Sequence, residues 1–281
     1  MESTVPNRLA TLGHPQRLAI FRLLVRRYPD RVPAGEIAQA LDLKPSTLSS
    51  YLSGLMQAGL IDQEREGTSL RYAIAMTELR RTFDYLLLDC CRGRPELCSP
   101  VSLPKITGTA PVSDARYKVL FICTGNSARS IFAEAIVRRE AGDRFEACSA
   151  GTTPRSEINP VAREVLDRKG HDLSVLRAKT VAEFQGEGAP RFDFVFTVCD
   201  RAANEDCPSW PGQPISAHWG MPDPVKADGT DAQRSLAFHQ AYAALANRIR
   251  AFTALPIASL DRIALQRAVD DLARSGAGEP A

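Results

Sequence analysis

Long apolar runs are missing from this chain of 281 residues. The stretch LAIFRLLV is interrupted by Arg22 and falls far short of the roughly 20 apolar residues a spanning helix needs. The opening MESTVPNRLATLGHPQ lacks the apolar centre of a secretory signal peptide, so a cytoplasmic protein is expected. Net charge is nearly absent too: +2 removes global charge as an argument for nucleic acid, and any such claim must come from local features. Cysteines number only seven, and in a cytoplasmic chain they are expected to be catalytic, redox-cycling or metal-binding rather than structural disulfides. What is present, 44% hydrophobic and 24% charged residues, describes a globular protein long enough for two ordinary domains.

The most informative stretch is KVLFICTGNSARSI, residues 118–131. Val119 to Ile122 reads as a short buried parallel strand ending on Cys123, and IFAEAIVRREAG reads as the helix that follows. Strand, short polar loop and helix together make an oxyanion cradle, with loop amides and the positive end of the helix dipole turned toward the bound charge. Thr124, Gly125, Asn126, Ser127, Ala128, Arg129 and Ser130 form that loop. Gly125 and Asn126 tolerate left-handed backbone, and Arg129 adds a planar fork for two oxygens of a tetrahedral anion. Ser130 can donate to the sulfur. A thiol so placed is expected to ionise below its reference value of about 8.5. A lone cysteine at a strand end is ordinarily just a small hydrophobe; the whole octet CTGNSARS after a strand argues for a nucleophile.

From Arg116 onward strands and helices alternate: strands at 119–122, 145–149 and 194–198, helices at 131–141, 160–169 and 231–252. That predicts a doubly wound α/β parallel sheet with its site at the carboxyl ends of the strands. Two later stretches belong to the site. VFTVCDRAANEDCP puts Cys199 just after a strand and Cys207 in the next loop, and HWGMPDP puts Asp223 before Pro224, which stiffens the backbone and aims the carboxyl group. Asp223 is the candidate general acid for a leaving oxygen, with His218 and Trp219 shaping its loop. Cys148 is expected to be packed on its strand, and ASLDRIALQRAVDDLARS to form an amphipathic helix within a carboxyl-terminal helix and tail over 256–281.

The first hundred residues read differently. Helices are predicted at 14–28 and 34–41, and a third starts at Pro45 with Leu48, Leu52, Leu55 and Met56 inward. Its outward face carries Ser46, Thr47, Ser49, Ser50 and Tyr51, with Lys44 at the start, which suits a DNA major groove. LIDQEREGTSLRYAI predicts a hairpin with Arg65 and Arg71 flanking a basic tip. The sum is a winged helix-turn-helix over 1–98. A further helix over 77–91 runs into CCRGRPELC, where Cys90, Cys91 and Cys98 cluster. Adjacent helical residues point about 100° apart, so Cys90 and Cys91 need the helix to end before both reach one ion. Three thiolates without a fourth ligand suit trigonal arsenite better than tetrahedral zinc. Residues 99–115, with Pro100, Pro104 and Pro111 and no periodicity, read as a linker to a domain over 116–255.

On these motifs the second half resembles the low-molecular-weight tyrosine phosphatase fold and, within it, the arsenate reductases, over about residues 117–255. The first half resembles the ArsR/SmtB arsenic- and metal-responsive repressors, over about residues 8–98. The better-known cysteine cluster of those repressors is absent, since Glu36 to Leu41 holds no cysteine. Many relatives of the second half carry a cysteine where this chain has Ala128. The resemblance implies a homodimer on operator DNA with arsenite as effector, fused to an arsenate reductase. There Cys123 would attack arsenate, Cys199 resolve the adduct, and Cys207 pass the disulfide to thioredoxin; resolution by glutathione, with a glutaredoxin-type reductant, is the alternative. No bound cofactor is expected. Two rivals stand beside this reading: a tyrosine phosphatase tethered to a winged helix, and a regulator whose Cys123 loop only senses an oxyanion.

Overall fold

The structure is a computed structural model describing residues 4–90, 116–186, 188–205 and 210–275. The chain divides into two compact units, Met1–Lys105 and Ile106–Ala281. The predicted linker, Cys91, Cys98 and Cys207 lie outside the described residues. No helix among the described residues is long and apolar enough to cross a membrane.

In the first unit α1 (Thr4–Leu12) and α2 (Pro15–Arg26) precede a short strand β1 (Val32–Pro33), α3 (Ala34–Ala40) and α4 (Pro45–Gln57). Proline at the first turn suits α2 and α4, where the missing N–H would have no helical partner; His14 caps α2 by accepting from the Gln16 amide. The hairpin of β2 (Ile61–Glu66) and β3 (Ser69–Ile74) turns at Gly67, whose φ of 59° is glycine territory. Adding β1 gives an antiparallel sheet in the order β1-β3-β2. Leu48, Leu52 and Leu55 of α4 are buried with Ile20, Leu23 and Leu24 of α2, as their helical spacing requires. Helix α5 (Met76–Asp84) continues into a π-helical turn, Tyr85–Cys90. Buried Arg8 of α1 joins three parts of the unit, donating to Ala58 O, Glu78 O and Thr82 Oγ1 and pairing with the Glu78 carboxylate.

The second unit is built on β4 (Tyr117–Cys123), α6 (Arg129–Ala141), β5 (Phe145–Gly151), α7 (Pro160–Arg168), β6 (Phe194–Thr197), α8 (Asp200–Asn204), β7 (Ile215–His218), α9 (Asp231–Thr253) and α10 (Arg262–Ser275). The four strands are parallel in the order β5-β4-β6-β7. Register aligns their carboxyl ends: Cys123 faces Gly151, Ile122 faces Thr197, and Thr197 faces His218. The core combines aliphatic strand residues with a cluster of rings, Trp219 stacking on Phe196 at 4.1 Å and both packing against Phe252 of α9. Helix α6 is buried almost continuously from Arg129 to Val137, because it packs against β4 and β5 and against α9. Helix α10 covers β7, with Leu265, Val269 and Ala273 in the core. The amphipathic tail is thus part of the second unit.

Candidate active site

The parallel register brings Cys123, Cys199 and the Asp223 segment to the carboxyl end of the sheet. Cys123 is 3% exposed at the end of β4, and the loop after it curls over the sulfur into the first turn of α6. Its carbonyls are engaged outward: Cys123 O, Thr124 O, Gly125 O and Ser127 O accept from the amides of Thr152, Thr153, Arg155 and Asn159. A trans peptide points its N–H opposite to its C=O, so the amides of Thr124, Gly125, Asn126 and Ala128 turn the other way. The Asn126 amide shows the result, lying 3.1 Å from Cys123 Sγ. Asn126 itself sits at φ 41°, the left-handed conformation expected of this position. Ser130 Oγ is 2.9 Å from the sulfur.

Arg129 leaves the start of α6 and reaches across the cup. Its guanidinium donates to Met221 O at 3.0 Å and pairs with Asp223 at 2.9 Å. Asp223 is fixed from behind, its other oxygen accepting from the Val225 amide. Cys199, 2% exposed, stands at the start of α8 with its sulfur 3.4 Å from Thr124 Oγ1. His218 is buried between Thr197 Oγ1 at 2.8 Å and Asp200 Oδ1 at 3.1 Å, so it braces the turn that carries Cys199, and its ring lies beside Gly220 in the segment leading to Asp223.

One electrostatic expectation is corrected. Burial pushes the Cys123 thiol up, and the nearby Cys199 adds to the rise; Ser130, Arg129 and the Asn126 amide pull it down without overcoming the burial. The expectation counted the dipole and the cation but not desolvation, and the guanidinium it counted on is already turned to Asp223. Cys148, partly buried on β5, is likewise pushed up by burial.

Sequence reasoning missed the second layer of this site. Asn126 Nδ2 donates to both Ser130 and Ser149, Ser149 donates to Glu134, and Lys179 bonds Glu134 through its ammonium and Asn126 through its backbone amide. A single acid inside the apolar run IFAEAIV was the available signal. Strand β7 and the buttress over 152–159 were also unforeseen.

In the first unit Lys44, Ser46, Ser49 and Ser50 are exposed on or beside α4 as expected. Thr47 and Tyr51 are half-buried, Tyr51 because its ring lies against His14 at 4.9 Å. The wing is less basic than predicted. Arg71 pairs with Glu66 at 2.5 Å and Arg31 with Glu64 at 2.7 Å, leaving Arg65 exposed. Cys90 is exposed at the end of the π-helical turn.

Comparison with known proteins follows the same division. Residues 118–264 match the model of the low molecular weight phosphotyrosine protein phosphatase family, and residues 12–64 match a helix-turn-helix domain. An arsenate reductase of Halalkalibacterium halodurans is 34% identical over 134 residues, 48% of this chain and 93% of the relative. That of Bacillus subtilis is 32% identical over the same shares. Among solved structures, an arsenate reductase from Archaeoglobus fulgidus covers 49% of this chain and 99% of its own, at 24% identity and a TM-score of 0.39. The family model takes in slightly more than half of the sequence, and the curated relatives align over nearly their whole length; the chain therefore belongs to the low molecular weight phosphotyrosine protein phosphatase family, joined to an amino-terminal helix-turn-helix domain.

Proposed function

We propose that the second unit reduces arsenate to arsenite and that the first is an arsenite-responsive DNA-binding repressor. The observation that carries the enzymatic half is a second buried thiol, Cys199, beside the cup of Cys123 and close enough to raise its pKa. Hydrolysis of a phosphate ester needs one cysteine and water; reduction of arsenate needs two electrons, hence a second thiol. The named relatives support the choice.

In this reading an oxyanion enters the cup on the loop amides and Arg129, and Cys123 sulfur bonds to arsenic while one oxygen leaves as water with a proton from Asp223. Cys199 sulfur then attacks Cys123 sulfur. The S–S bond forms as the S–As bond breaks, the electron pair stays on arsenic, and arsenite departs. Two thiols are oxidised and arsenic is reduced by two electrons. Cys207 exchanges into the disulfide, freeing Cys123, and thioredoxin or a glutathione/glutaredoxin-type reductant restores the pair.

For the first unit, the exposed hydroxyl face of α4 supports operator DNA binding. Arg8 ties α1 to α5, which carry exposed Leu9 and Phe83, and these large apolar residues support a homodimer. Arsenite is assigned to Cys90 with Cys91 and Cys98; the product of one unit is thus the effector of the other.

The test is arsenite formation with thioredoxin and with glutathione systems. Cys123→Ser should fall to background, and Cys199→Ser should stop thioredoxin-linked turnover. Arsenate turnover surviving Cys123→Ser would remove the scheme. Efficient hydrolysis of a phenyl phosphate without arsenate turnover would favour a phosphatase, and arsenate-responsive DNA binding without turnover would favour a pure regulator.

A further inference from the structure

Three cations around the cup are answered by acids. Arg129 pairs with Asp223, and Lys179 and Arg138 both pair with Glu134. Beyond the cup the field of each is therefore largely cancelled by its partner. Arg155 differs from them. It stands in TTPRSE, the segment after β5 whose amides hold the oxyanion loop from outside. The residue is exposed. Among the described residues its guanidinium makes no hydrogen bond or ion pair, not even with Glu157 two residues on.

The main chain fixes where this charge is rooted. The Arg155 amide donates to Gly125 O at 2.9 Å, which ties the residue to the loop it borders. Its side chain then runs against the same loop. A Cβ on Gly125 would lie 3.7 Å from Arg155 Cγ and 3.8 Å from its Nε, ordinary van der Waals contact. Gly125 is one of the residues whose amide turns into the cup. A charge rooted there lies within roughly 10 Å of a bound anion, about one Debye length at 0.1 M salt.

We propose that Arg155 is a specificity-determining residue for the doubly charged form of the substrate: it sets a positive potential beside the cup, gathers tetrahedral dianions there, and takes no part in the chemical step. Through water, a unit charge roughly 10 Å from a dianion changes its affinity about fourfold, and that of a monoanion about twofold. Steering of this kind acts on capture, so it belongs to KM and to the salt dependence rather than to kcat. The ligand class is a small dianionic oxyanion, arsenate or phosphate above neutral pH. This inference rests on the reading of the cup as an oxyanion site and deepens it by naming the charge state it selects.

The test compares Arg155→Leu, which removes the charge, with Arg155→Lys, which keeps it. Arg116→Leu removes the same charge just before β4, at the amino end of the sheet, and controls for net charge. The first readout is the alkylation rate of Cys123 by iodoacetate, an anion, divided by its rate with neutral iodoacetamide, followed by peptide mass spectrometry in the full chain. The division cancels any change in the thiol itself. Arg155→Leu should lower this ratio about twofold at low ionic strength and leave it unchanged in 1 M salt, where the Debye length is about 3 Å. Arg155→Lys and Arg116→Leu should match wild type. The second readout is arsenite formation, where Arg155→Leu should raise KM about three- to fourfold at low salt and hold kcat within about twofold. A ratio indifferent to Arg155, an equal fall in Arg116→Leu, or a loss confined to kcat would overturn the proposal. Alkylation needs no arsenate, so a wild type that fails to reduce arsenate while the ratio shifts as expected counts against the functional reading alone.

Discussion

Replacing Gly151 by alanine tests whether the cup depends on its neighbour strand. Gly151 ends β5 directly opposite Cys123. A Cβ there would lie 2.7 Å from Thr124 O, 3.0 Å from Asn126 Cβ and 3.1 Å from the Asn126 nitrogen. Ordinary contact begins near 3.4 Å, so the closest approach must open by about 0.7 Å. Two of the three atoms are backbone of the oxyanion loop and cannot rotate away. The Thr124 carbonyl is further tied to the Thr153 amide at 2.9 Å, so the loop moves only by stretching its own buttress. Overpacking of this kind costs about 1–3 kcal/mol, a fall of several degrees in the melting temperature of a domain this size. Displacing a reacting group by about 1 Å costs on the order of 100-fold in rate, so roughly 10- to 100-fold is expected in kcat/KM for arsenate. The assays are arsenite formation with a dithiol reductant and thermal unfolding by circular dichroism. A Gly151→Ala protein with wild-type kcat/KM would refute the claim that close packing of β5 against the loop sets the geometry of the cup.

Two further changes probe other parts. Arg250 of α9 grips Glu140 of α6 with two bonds of 2.8 Å and holds its carboxyl group below the usual carboxylate range. A depressed folded-state pKa adds stability that is present above the unfolded value near 4.3 and disappears as pH falls through the folded one. Glu140→Gln should therefore cost about 0.5–1 kcal/mol at pH 7, discounted for exposure, and nothing near pH 2; urea titrations giving the same difference at both would contradict this. On the wing, Glu66→Gln frees Arg71, so anisotropy titrations of DNA binding against salt should show a log–log slope steeper by about one phosphate contact. An unchanged slope would mean that Arg71 never meets the backbone.

The nucleophile loop was legible because its parts are contiguous: strand, CTGNSARS and helix follow one another, and local chemistry dictates the turn. The support behind it was not, because Glu134, Ser149 and Lys179 meet only after β4, β5 and α6 pack. The Cys123 thiol was misjudged for a related reason, since burial is a property of the whole fold whereas a helix dipole can be read locally. Strand β7 escaped because ISAH is four residues long and follows Pro214, too short for periodicity to show. On the wing, counting arginines without strand register hid the acids: Glu64 lies opposite Arg71, and Glu66 reaches it from the same strand. The last helix displayed its apolar stripe plainly, but only the finished sheet shows that the stripe belongs against β7.

The bond between Arg129 and Asp223 makes entry to the cup a substitution rather than an addition. An arriving anion must displace a tethered carboxylate that is always at hand, whatever the solute concentration. Small singly charged ions such as chloride offer the guanidinium no pair of acceptor oxygens and gain little by the exchange. A tetrahedral dianion can take both prongs of the fork and the loop amides together, and its arrival frees the Asp223 carboxylate to take up the proton that, in the proposed cycle, it passes to the departing oxygen. Selection of the guest and readiness for the first chemical step are thereby the same event.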